Sequence, residues 1–571
     1  MGPKMQRKTE SAKRTFFFYD DETSGVHHNF DQVYQFAGVR TDENLNIIPN
    51  TEVNLLCRPR PDVIPHPKAF LTHRIDIRQL EANGMSEFEL AGAVQSLLLQ
   101  EGTTISGYNT MAFDDMMTRN MMYRNMRSPY DHEWKGENNR FDIMKLVTMM
   151  YALRPETLNW KINADGVESF KLSDLSEANG IVHENAHDAL SDVYATISVA
   201  RLIKERNPRA FDYLLNMAKK ENAMALLSKR EPLLHVSGFY GKGVKCTSLV
   251  LPLIMDAENK NKILCVDLRH DPTDVLSMSS NEIRKYLFTS REELHEGAPK
   301  VPLLGIESNK LPIIIDPTKM LNHKAASRCD LDVDQCHRNA EIIRNNRDFV
   351  LRVQQAFIGK MPVHHNPYAQ IYTGGFLSSG DNSVRTSLTL KTPETGLKDF
   401  KIENADIFEF ACKTNDTLRQ FDLMLRAKWN SFSDKILSSS SFSALELKTW
   451  SDYIQDRLYN EDGNSGLTID GYRRALEMVK IQEILSEEDC ELLDHVTNYI
   501  DDMEKKAKMI ANLASSKEMM EVAQIESECS PSFAKFIKIK TEKEEEAKRE
   551  KEEEEENKKG NRKEQESSLS I

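Results

Sequence analysis

The sequence lacks any apolar run that approaches the roughly 20 residues of a membrane-spanning helix, which disfavours an integral membrane protein. Residues 1–14 are basic but lack the apolar centre of a secretory signal, so we interpret them as a disordered arm. The eight cysteines are scattered and include no CxxC pair, which disfavours a zinc module and a disulfide framework. We therefore expect a cytoplasmic protein with reduced thiols and no membrane partner.

The sequence also lacks the excess of positive charge that is typical of a protein coating nucleic acid, because its formal net charge is −14. Residues 501–571 carry 19 acidic and 15 basic side chains, so the other 500 residues still carry a net charge of −10. Any nucleic-acid binding must therefore come from a local basic channel. The Glu/Lys run over residues 541–563 is typical of a solvated single helix or a disordered tail.

Hydrophobic patterns divide the remaining chain into three regions. Residues 15–206 alternate strand-like and amphipathic helical runs, which favours an α/β layer. Residues 207–362 contain the β-like runs SLVLPLIM, KILCVDL and LPIIID and then a predicted helix over residues 339–358. Residues 363–515 are mostly helical in pattern, and residues 516–571 form an extension that includes the Glu/Lys run.

The stretch FFFYDDETSG, residues 16–25, places three consecutive acids after an apolar strand predicted over residues 16–19. Buried carboxylates are unfavourable unless they are paired, protonated or bound to a cation. Side chains two residues apart on a strand share a face, so Asp20 and Glu22 point together and Asp21 points away. The pair is a candidate metal site, and the alternative is an ordinary strand end that reaches water.

Two acids, Asp114 and Asp115, begin a predicted helix within GYNTMAFDDMMTRN, residues 107–120. A short strand, predicted to be buried, comes before them. Asp114 and Asp115 are neighbours on that helix, so their side chains diverge by about 100°. Only one of the two can face a common site, and the spacing does not say which.

A histidine and two acids lie together in NAHDALSDVYAT, residues 185–196, at the start of a helix predicted over residues 187–204. Asp188 lies in the first turn, where its charge favours the helix N-terminus, and we interpret it as a cap. His187 precedes the helix, on a rim that can reach over a pocket. Taken singly, it is either a structural histidine or a catalytic one.

Together, the acid-x-acid strand end, the Phe-Asp helix start and the His-x4-Asp helix resemble the DEDD exonuclease superfamily, histidine subtype, in the same order along the chain. The runs DETSG, QFAGVRT, GYNTMAFDDMMTRNMMYRNMRSPY, SFKLSDLSEANGIVHENAHDALSDVYATI and LLHVSGFYG extend the resemblance to the bacterial exonuclease I family. The resemblance implies an α/β RNase H-like exonuclease domain, an SH3-like (α+β) domain and an all-helical C-terminal domain. It also implies that these domains form a C-shaped clamp around a DNA strand.

The same resemblance implies which groups carry the chemistry. His187 would be the general base, and the metal ligands would be Asp20, Glu22, Asp114 and Asp192. They would bind two Mg²⁺ ions about 3.5–4 Å apart, one activating water and one steadying the leaving 3′-oxygen. Mn²⁺ is the alternative ion. The chain would then degrade single-stranded DNA from 3′ to 5′ to nucleoside 5′-monophosphates in DNA repair and recombination.

The resemblance also implies which residues contact the single-stranded DNA. The segment RNMMYRNMRSPYDHEW interleaves basic and aromatic residues, as a single-strand channel requires. The matching substrate contacts are Glu22, Arg119, Tyr130, Trp134, Lys171, Lys220, Asn261 and Lys310, with Lys242 and Lys245 as further candidates. The family usually has arginine at Lys171 and a basic residue at Thr148. Lysine keeps the charge but loses the bidentate fork.

A protein partner and two rival functions complete the expectations. The family docks the acidic C-terminal tail of single-strand-DNA-binding protein, and Arg154, Tyr213 and Arg344 match that pocket, whereas Leu321 and His337 depart from it. We expect a monomer.

Two alternative functions remain. The first is an exoribonuclease on the same fold, which the matching second and third regions disfavour. The second is a non-catalytic protein that binds single-stranded nucleic acid, which the complete set of acids and histidine disfavours.

Overall fold

The computed structural model describes residues 14–183, 188–290, 292–321, 323–359, 369–373, 383, 444–461 and 466–528. Residues 1–13 of the predicted N-terminal arm, the Glu/Lys run and His187 lie outside these residues. The chain divides into two compact units, Met1–Asp416 with Arg457–Ile500 and Thr417–Asp456 with Asp501–Ile571. None of the helices in the described part of the chain combines the length and hydrophobicity that crossing a bilayer requires.

The first sheet of the first unit has the strand order β3-β2-β1-β4-β5. Its strands are β1 Thr15–Thr23, β2 Val33–Thr41, β3 Val53–Leu56, β4 Thr103–Gly107 and β5 Asn139–Asp142. The β1 strand pairs antiparallel with β2 and parallel with β4, and β5 continues the parallel side. The described helices of this part are α1 Pro67–His73, α2 Ile77–Asn83, α3 Glu87–Leu98, α4 Asp114–Arg124, α5 Ile143–Leu153, α6 Leu172–Ala178, α7 Ala189–Arg206, α8 Pro208–Met217 and α9 Lys220–Leu227. The predicted α/β layer is confirmed.

Alternate aromatic residues of β1 anchor the sheet to helices on both of its faces. Phe16 and Phe18 belong to the core that includes α5 and α7, whereas Phe17 and Tyr19 belong to the core that includes α3 and α4. All four side chains are buried. The apolar run of β1 is therefore the centre of a three-layer arrangement, because residues two apart on a strand share a face.

Two predicted boundaries are wrong. The β1 strand does not end at Tyr19 but continues through the acids to Thr23, because β2 supplies backbone partners opposite Asp20 and Glu22. The helix predicted over residues 339–358 is two helices, α14 Val333–Arg344 and α15 Arg347–Phe357. They are separate because Asn346 leaves the helical region, with φ −115° and ψ 71°.

The second sheet has the order β10-β6-β7-β8-β9, and its described pairings are antiparallel. Its strands are β6 Leu233–Val236, β7 Thr247–Met255, β8 Lys262–Asp267, β9 Leu303–Glu307 and β10 Ile313–Ile315. The described helices after β8 are α10 Thr273–Ser277, α11 Ser280–Phe288, α12 Pro317–Met320, α13 His323–Arg328, α14 and α15. This part has the predicted α+β character.

The described C-terminal residues are helical, as predicted. The helices are α16 Ala444–Tyr459, α17 Ile469–Gln482 and α18 Glu487–Glu528. Within the first unit, the Arg457 guanidinium lies 4.7 Å from the centre of the Phe30 ring. Phe30 belongs to the loop that follows β1, so Arg457 contacts that loop directly.

A buried ionic cluster joins α3, α4 and the loop after β1. Glu87 lies between Arg60, whose Nη1 is 2.6 Å away, and Arg124, whose Nη2 is 2.7 Å away. Arg124 also donates a hydrogen bond of 2.9 Å to the Asp31 carbonyl. Burial opposes ionisation of Glu87, but the two guanidinium groups outweigh it and lower its pKa to about 2.

We expect Glu87→Gln to lower the free energy of unfolding by about 3–5 kcal/mol, because two buried cations lose their shared anion. The wild-type contribution is present above the unfolded-state pKa of about 4.3 and is lost as the pH falls toward the folded pKa of about 2. Urea denaturation at pH 7 measures the difference. The control is Glu89→Gln on the same helix, because Glu89 is exposed and glutamine also supports its capping box. Equal stability of the two variants would contradict the prediction.

Candidate active site

Three carboxylates meet at the edge of the first sheet. Asp20 and Glu22 lie on the same face of β1, and Asp192 reaches them from α7, with one oxygen of each residue within 4.8 Å of the others. Asp21 points to the opposite face, where its Oδ2 accepts a hydrogen bond of 3.3 Å from Thr118. The strand period therefore predicted correctly which acids of β1 share a site.

The start of α7 places Asp192. Asp188 caps the helix, since its Oδ1 accepts a hydrogen bond of 3.0 Å from the Ser191 amide, and Asp192 follows in the first turn. The cap interpretation of Asp188 is confirmed. His187, the predicted base, lies outside the described residues, so its role stays a prediction.

A second histidine contacts the acidic cluster, and no sequence motif indicated it. His183 Nε2 is 2.5 Å from Asp192 Oδ1, and the His183 side chain is almost fully buried. His183 belongs to the same family run as His187, four residues earlier, but nothing in its spacing distinguished it from a structural residue.

The two acids that open α4 separate, as the helix geometry predicted. Asp114 Oδ1 accepts a hydrogen bond of 3.1 Å from the Asp21 amide, which holds it beside β1. Asp115 turns away, accepting hydrogen bonds of 2.7 Å from the Tyr19 hydroxyl and from Arg140 Nη1. Asp114 is therefore the neighbour of the site, although the cluster of three close carboxylates does not include it.

Electrostatics at this edge favour uptake of positive charge. Burial, and then the neighbouring acids Asp114, Glu22 and Asp192, raise the pKa of Asp20 well above its usual value. Burial, and then Asp192 and Asp114, raise the pKa of Glu22 to about 9. Burial raises the pKa of Asp114 to about 7, although the amides of Asp114 and Asp21 oppose the shift. A divalent cation would relieve this repulsion, and carboxylate oxygens are the ligands that hard cations prefer.

Comparisons with known proteins agree with this geometry. A family model described as "Exonuclease" matches residues 17–200, and one described as "Exonuclease I SH3-like domain" matches residues 218–359. The chain is 39% identical to Exodeoxyribonuclease I of Escherichia coli K12 over 396 residues, covering 69% of this chain and 82% of that protein. It is 35% identical to the Haemophilus influenzae protein of that name over 434 residues, covering 75% and 91%. The chain belongs to the exodeoxyribonuclease I family.

Solved structures support the membership. The crystal structure of E. coli Exonuclease I in complex with a dA16 oligonucleotide superposes with a TM-score of 0.77 at 33% identity, covering 86% of this chain and 100% of that one. The exonuclease I of Methylocaldum szegediense gives 0.76 at 30% identity, covering 87% and 100%. The expected fold, an RNase H-like exonuclease domain, an SH3-like domain and a helical C-terminal region, is confirmed. This family member is an exonuclease, and its acidic cluster implies use of a divalent metal.

Three of the residues predicted to contact DNA line one cavity of this protein. Trp134, Lys220 and Asn261 contribute to the wall of a cleft of about 620 Å³, together with Glu133 and Arg140. Trp134 is 65% exposed, so its indole face is accessible to a base. The sequence pattern did not predict that these residues, up to 127 positions apart, would share one surface.

Two other predicted contacts, Arg119 and Lys310, already have ionic partners in the protein. Arg119 is only 7% exposed, its Nε lies 2.5 Å from Glu133 Oε1, and its guanidinium stacks 5.4 Å from the Tyr130 ring centre. Lys310 Nζ lies 2.9 Å from Glu307. Lys171 occupies the N-cap position of α6. A phosphate at Arg119 would have to exchange with Glu133, so its contact with the strand stays a prediction.

The residues matched to the partner pocket are also engaged. The Tyr213 hydroxyl donates a hydrogen bond of 2.8 Å to the Ile314 carbonyl, which joins α8 to β10. Arg154 Nη1 donates one of 2.7 Å to the Leu153 carbonyl. Arg344 pairs with Glu231 at 2.5 Å and with Glu341 at 2.7 Å. Arg344 thus binds two carboxylates on the protein surface, which is the chemistry that an acidic tail would offer.

We expect a divalent cation to raise the melting temperature of this protein, and to raise it more at pH 8 than at pH 6. The raised folded pKa values mean that the carboxylates bind protons in the folded state, so folded-state stability falls as the pH rises from the unfolded pKa toward about 9. Bound metal removes that repulsion and stabilises by mass action. Thermal denaturation with millimolar Mg²⁺ or Mn²⁺ measures the shift.

Proposed function

We propose that this chain is a Mg²⁺-dependent exodeoxyribonuclease that degrades single-stranded DNA from 3′ to 5′, releases nucleoside 5′-monophosphates and acts in DNA repair and recombination. The observation that carries the proposal is the carboxylate cluster of Asp20, Glu22 and Asp192. It lies on the sheet of a chain that covers the whole of an E. coli exonuclease I bound to an oligonucleotide. We further propose that the protein acts as a monomer in the cytoplasm.

The donor set fits the expected ions. Asp20, Glu22 and Asp192 would hold the metal, and Asp114, one of whose oxygens is anchored by the Asp21 amide, would supply the fourth carboxylate. Mg²⁺ held there would supply activation of water and charge relief on the scissile phosphate. His187 would accept the proton of that water, because an imidazole with a pKa near 6.5 is a competent base at neutral pH.

The strand would approach along the cleft beside Trp134. Exposed aromatic rings stack on bases without sequence preference. Trp134 lines this cleft, and Tyr130 lies four positions before it in the sequence. Lys220, Asn261 and Lys310 would contact the backbone, and Lys171 and Glu22 would contact the terminal nucleotide. The binding would depend on local charge, since the net charge of the chain is −14.

A single-strand-DNA-binding protein is the partner that the comparisons favour. Similar solved structures include one described as an ExoI/SSB-Ct complex, at 32% identity and a TM-score of 0.74. We propose that Arg154, Tyr213 and Arg344 receive such a tail in this chain. Arg344 supports this, because its guanidinium already pairs with surface carboxylates that a tail could replace.

A 5′-labelled single-stranded DNA oligonucleotide should shorten stepwise with Mg²⁺ and stay intact with EDTA. An RNA of equal length and sequence should be degraded at least about tenfold more slowly if the site selects deoxyribose, which gel electrophoresis of both time courses measures. Equal rates would favour the exoribonuclease alternative. Loss of label from the 5′ end in one step would contradict the 3′→5′ direction.

Glu22→Ala should lower kcat on the order of 10³-fold or more, the scale on which loss of a catalytic group acts, while strand binding is retained. Asp21→Asn is the matched control on the same strand, because the Asp21 side chain points to Thr118 on the other face. Single-turnover rates and fluorescence anisotropy separate catalysis from binding. Wild-type cleavage by Glu22→Ala would exclude Glu22 from the metal site.

A further inference from the structure

The segment between α5 and α6 carries Lys171 at its end, and an aromatic cluster holds this segment from the exonuclease side. The Tyr151 and Phe170 ring centres are 5.0 Å apart, and those of Trp160 and Phe170 are 5.7 Å apart. The Tyr108 hydroxyl donates a hydrogen bond to the Phe170 carbonyl. The residue immediately before Lys171 is therefore fixed by both its ring and its backbone.

The SH3-like domain holds the same segment from the other side through two lysines. Lys245 Nζ donates hydrogen bonds of 3.0 Å to Glu168 Oε1 and of 2.9 Å to the Tyr151 hydroxyl. Tyr151 in turn donates one of 3.1 Å to Glu168 Oε2, which closes a triangle of polar contacts. Lys242 Nζ donates to the Glu168 carbonyl and lies 4.2 Å from the Phe170 ring centre. We call Lys242, Lys245, Glu168, Tyr151 and Phe170 the interdomain brace.

The backbone of the SH3-like turn is shaped to present these lysines. Lys245 has φ +50°, a left-handed conformation that residues with a side chain adopt uncommonly. The turn is held by a hydrogen bond of 3.0 Å from the Lys245 amide to the Lys242 carbonyl and one of 2.9 Å from the Cys246 amide to the Gly241 carbonyl. A non-glycine residue kept in this conformation is a reason to look for a function at that position.

We propose that Lys242 and Lys245 are positioning residues, which fix Glu168 and Phe170 and thereby set the place of Lys171 at the 3′-terminal nucleotide. The inference rests on the proposed function, since it takes Lys171 as a contact of that nucleotide. These positioning roles account for two features of the chain. The first is that residue 171 is a lysine, which lacks the rigid fork of an arginine, so its location depends more on a fixed backbone. The second is that Lys242 and Lys245, which were candidate contacts of the DNA strand, bind protein groups instead.

Steady-state kinetics on a short single-stranded DNA test the brace. Lys245→Gln and Glu168→Gln should each raise KM by roughly three- to tenfold, the scale of one coupled contact, with kcat within about twofold of wild type. Lys245→Arg should keep a wild-type KM, because arginine can also pair with Glu168. In a Lys171→Ala background, Lys245→Gln should add no further increase in KM, since the brace acts through Lys171.

The matched control is Lys262→Gln, which removes a similarly buried lysine of the SH3-like domain whose partner, Asp256 at 2.7 Å, lies in the same domain. It should leave KM unchanged. Additive effects of Lys171→Ala and Lys245→Gln would overturn the proposal and assign Lys245 to direct strand contact, and a wild-type KM for Lys245→Gln would also overturn it.

A measurement without DNA separates the brace from the proposed function. Hydrogen–deuterium exchange of the amides over residues 168–175 should rise several-fold in Lys245→Gln and stay at the wild-type rate in Lys262→Gln. If the wild-type protein failed to degrade single-stranded DNA, the proposed function would be wrong. The exchange result would still show whether the interdomain brace fixes residues 168–175. Unchanged exchange in Lys245→Gln would show that the contacts do not hold the segment.

Discussion

Repulsion between carboxylates at the edge of the first sheet is the constraint on which the rest of this structure depends. Burial, and then the closeness of the neighbouring acids, raises the pKa of Asp20 and Glu22, and the carboxylates of Asp20, Glu22 and Asp192 would separate if their backbones were free to move. The β1 strand prevents this, because its aromatic residues are buried alternately against helices on both faces. The α7 helix does the same for Asp192, through the Asp188 cap and a buried apolar stripe. Packing thus holds a charge arrangement that is relieved by protonation or by a bound metal cation.

A second layer of charge lies behind the acids and is fully neutralised. Asp115 pairs with Arg140, Arg140 also lies 3.2 Å from Glu133, and Glu133 pairs with Arg119. Arg140 further donates a hydrogen bond of 3.0 Å to the Asn309 carbonyl, in the SH3-like domain. This network of ion pairs and hydrogen bonds links β1 to the cleft and to the second sheet. Because the charges of this ion-pair network are already paired, exposed groups such as Trp134 and Lys220 are the ones that a bound DNA strand would reach without breaking an ion pair.

Local rules predicted the parts of the site that depend on backbone geometry alone. The strand period placed Asp20 and Glu22 on one face, the 100° helical step separated Asp114 from Asp115, and the first-turn charge of Asp188 predicted a cap. The same rules failed where distant backbone decided the outcome. The β1 strand continues past Tyr19 because β2 pairs with it, and the predicted helix over residues 339–358 breaks at Asn346.

The sequence by itself determined that strands and helices alternate in the first region, that Asp20 and Glu22 share one face of β1, and that carboxylate oxygens are available as ligands for a hard cation. Only the tertiary structure decided which lysine and arginine side chains form ion pairs within the protein. Lys245 pairs with Glu168, 77 positions away, and Arg119 pairs with Glu133 across a turn. It also decided that His183 lies on Asp192. The physical reason is that backbone periodicity acts over neighbouring residues, whereas the partner of a long charged side chain depends on which distant segment the fold brings within hydrogen-bond reach.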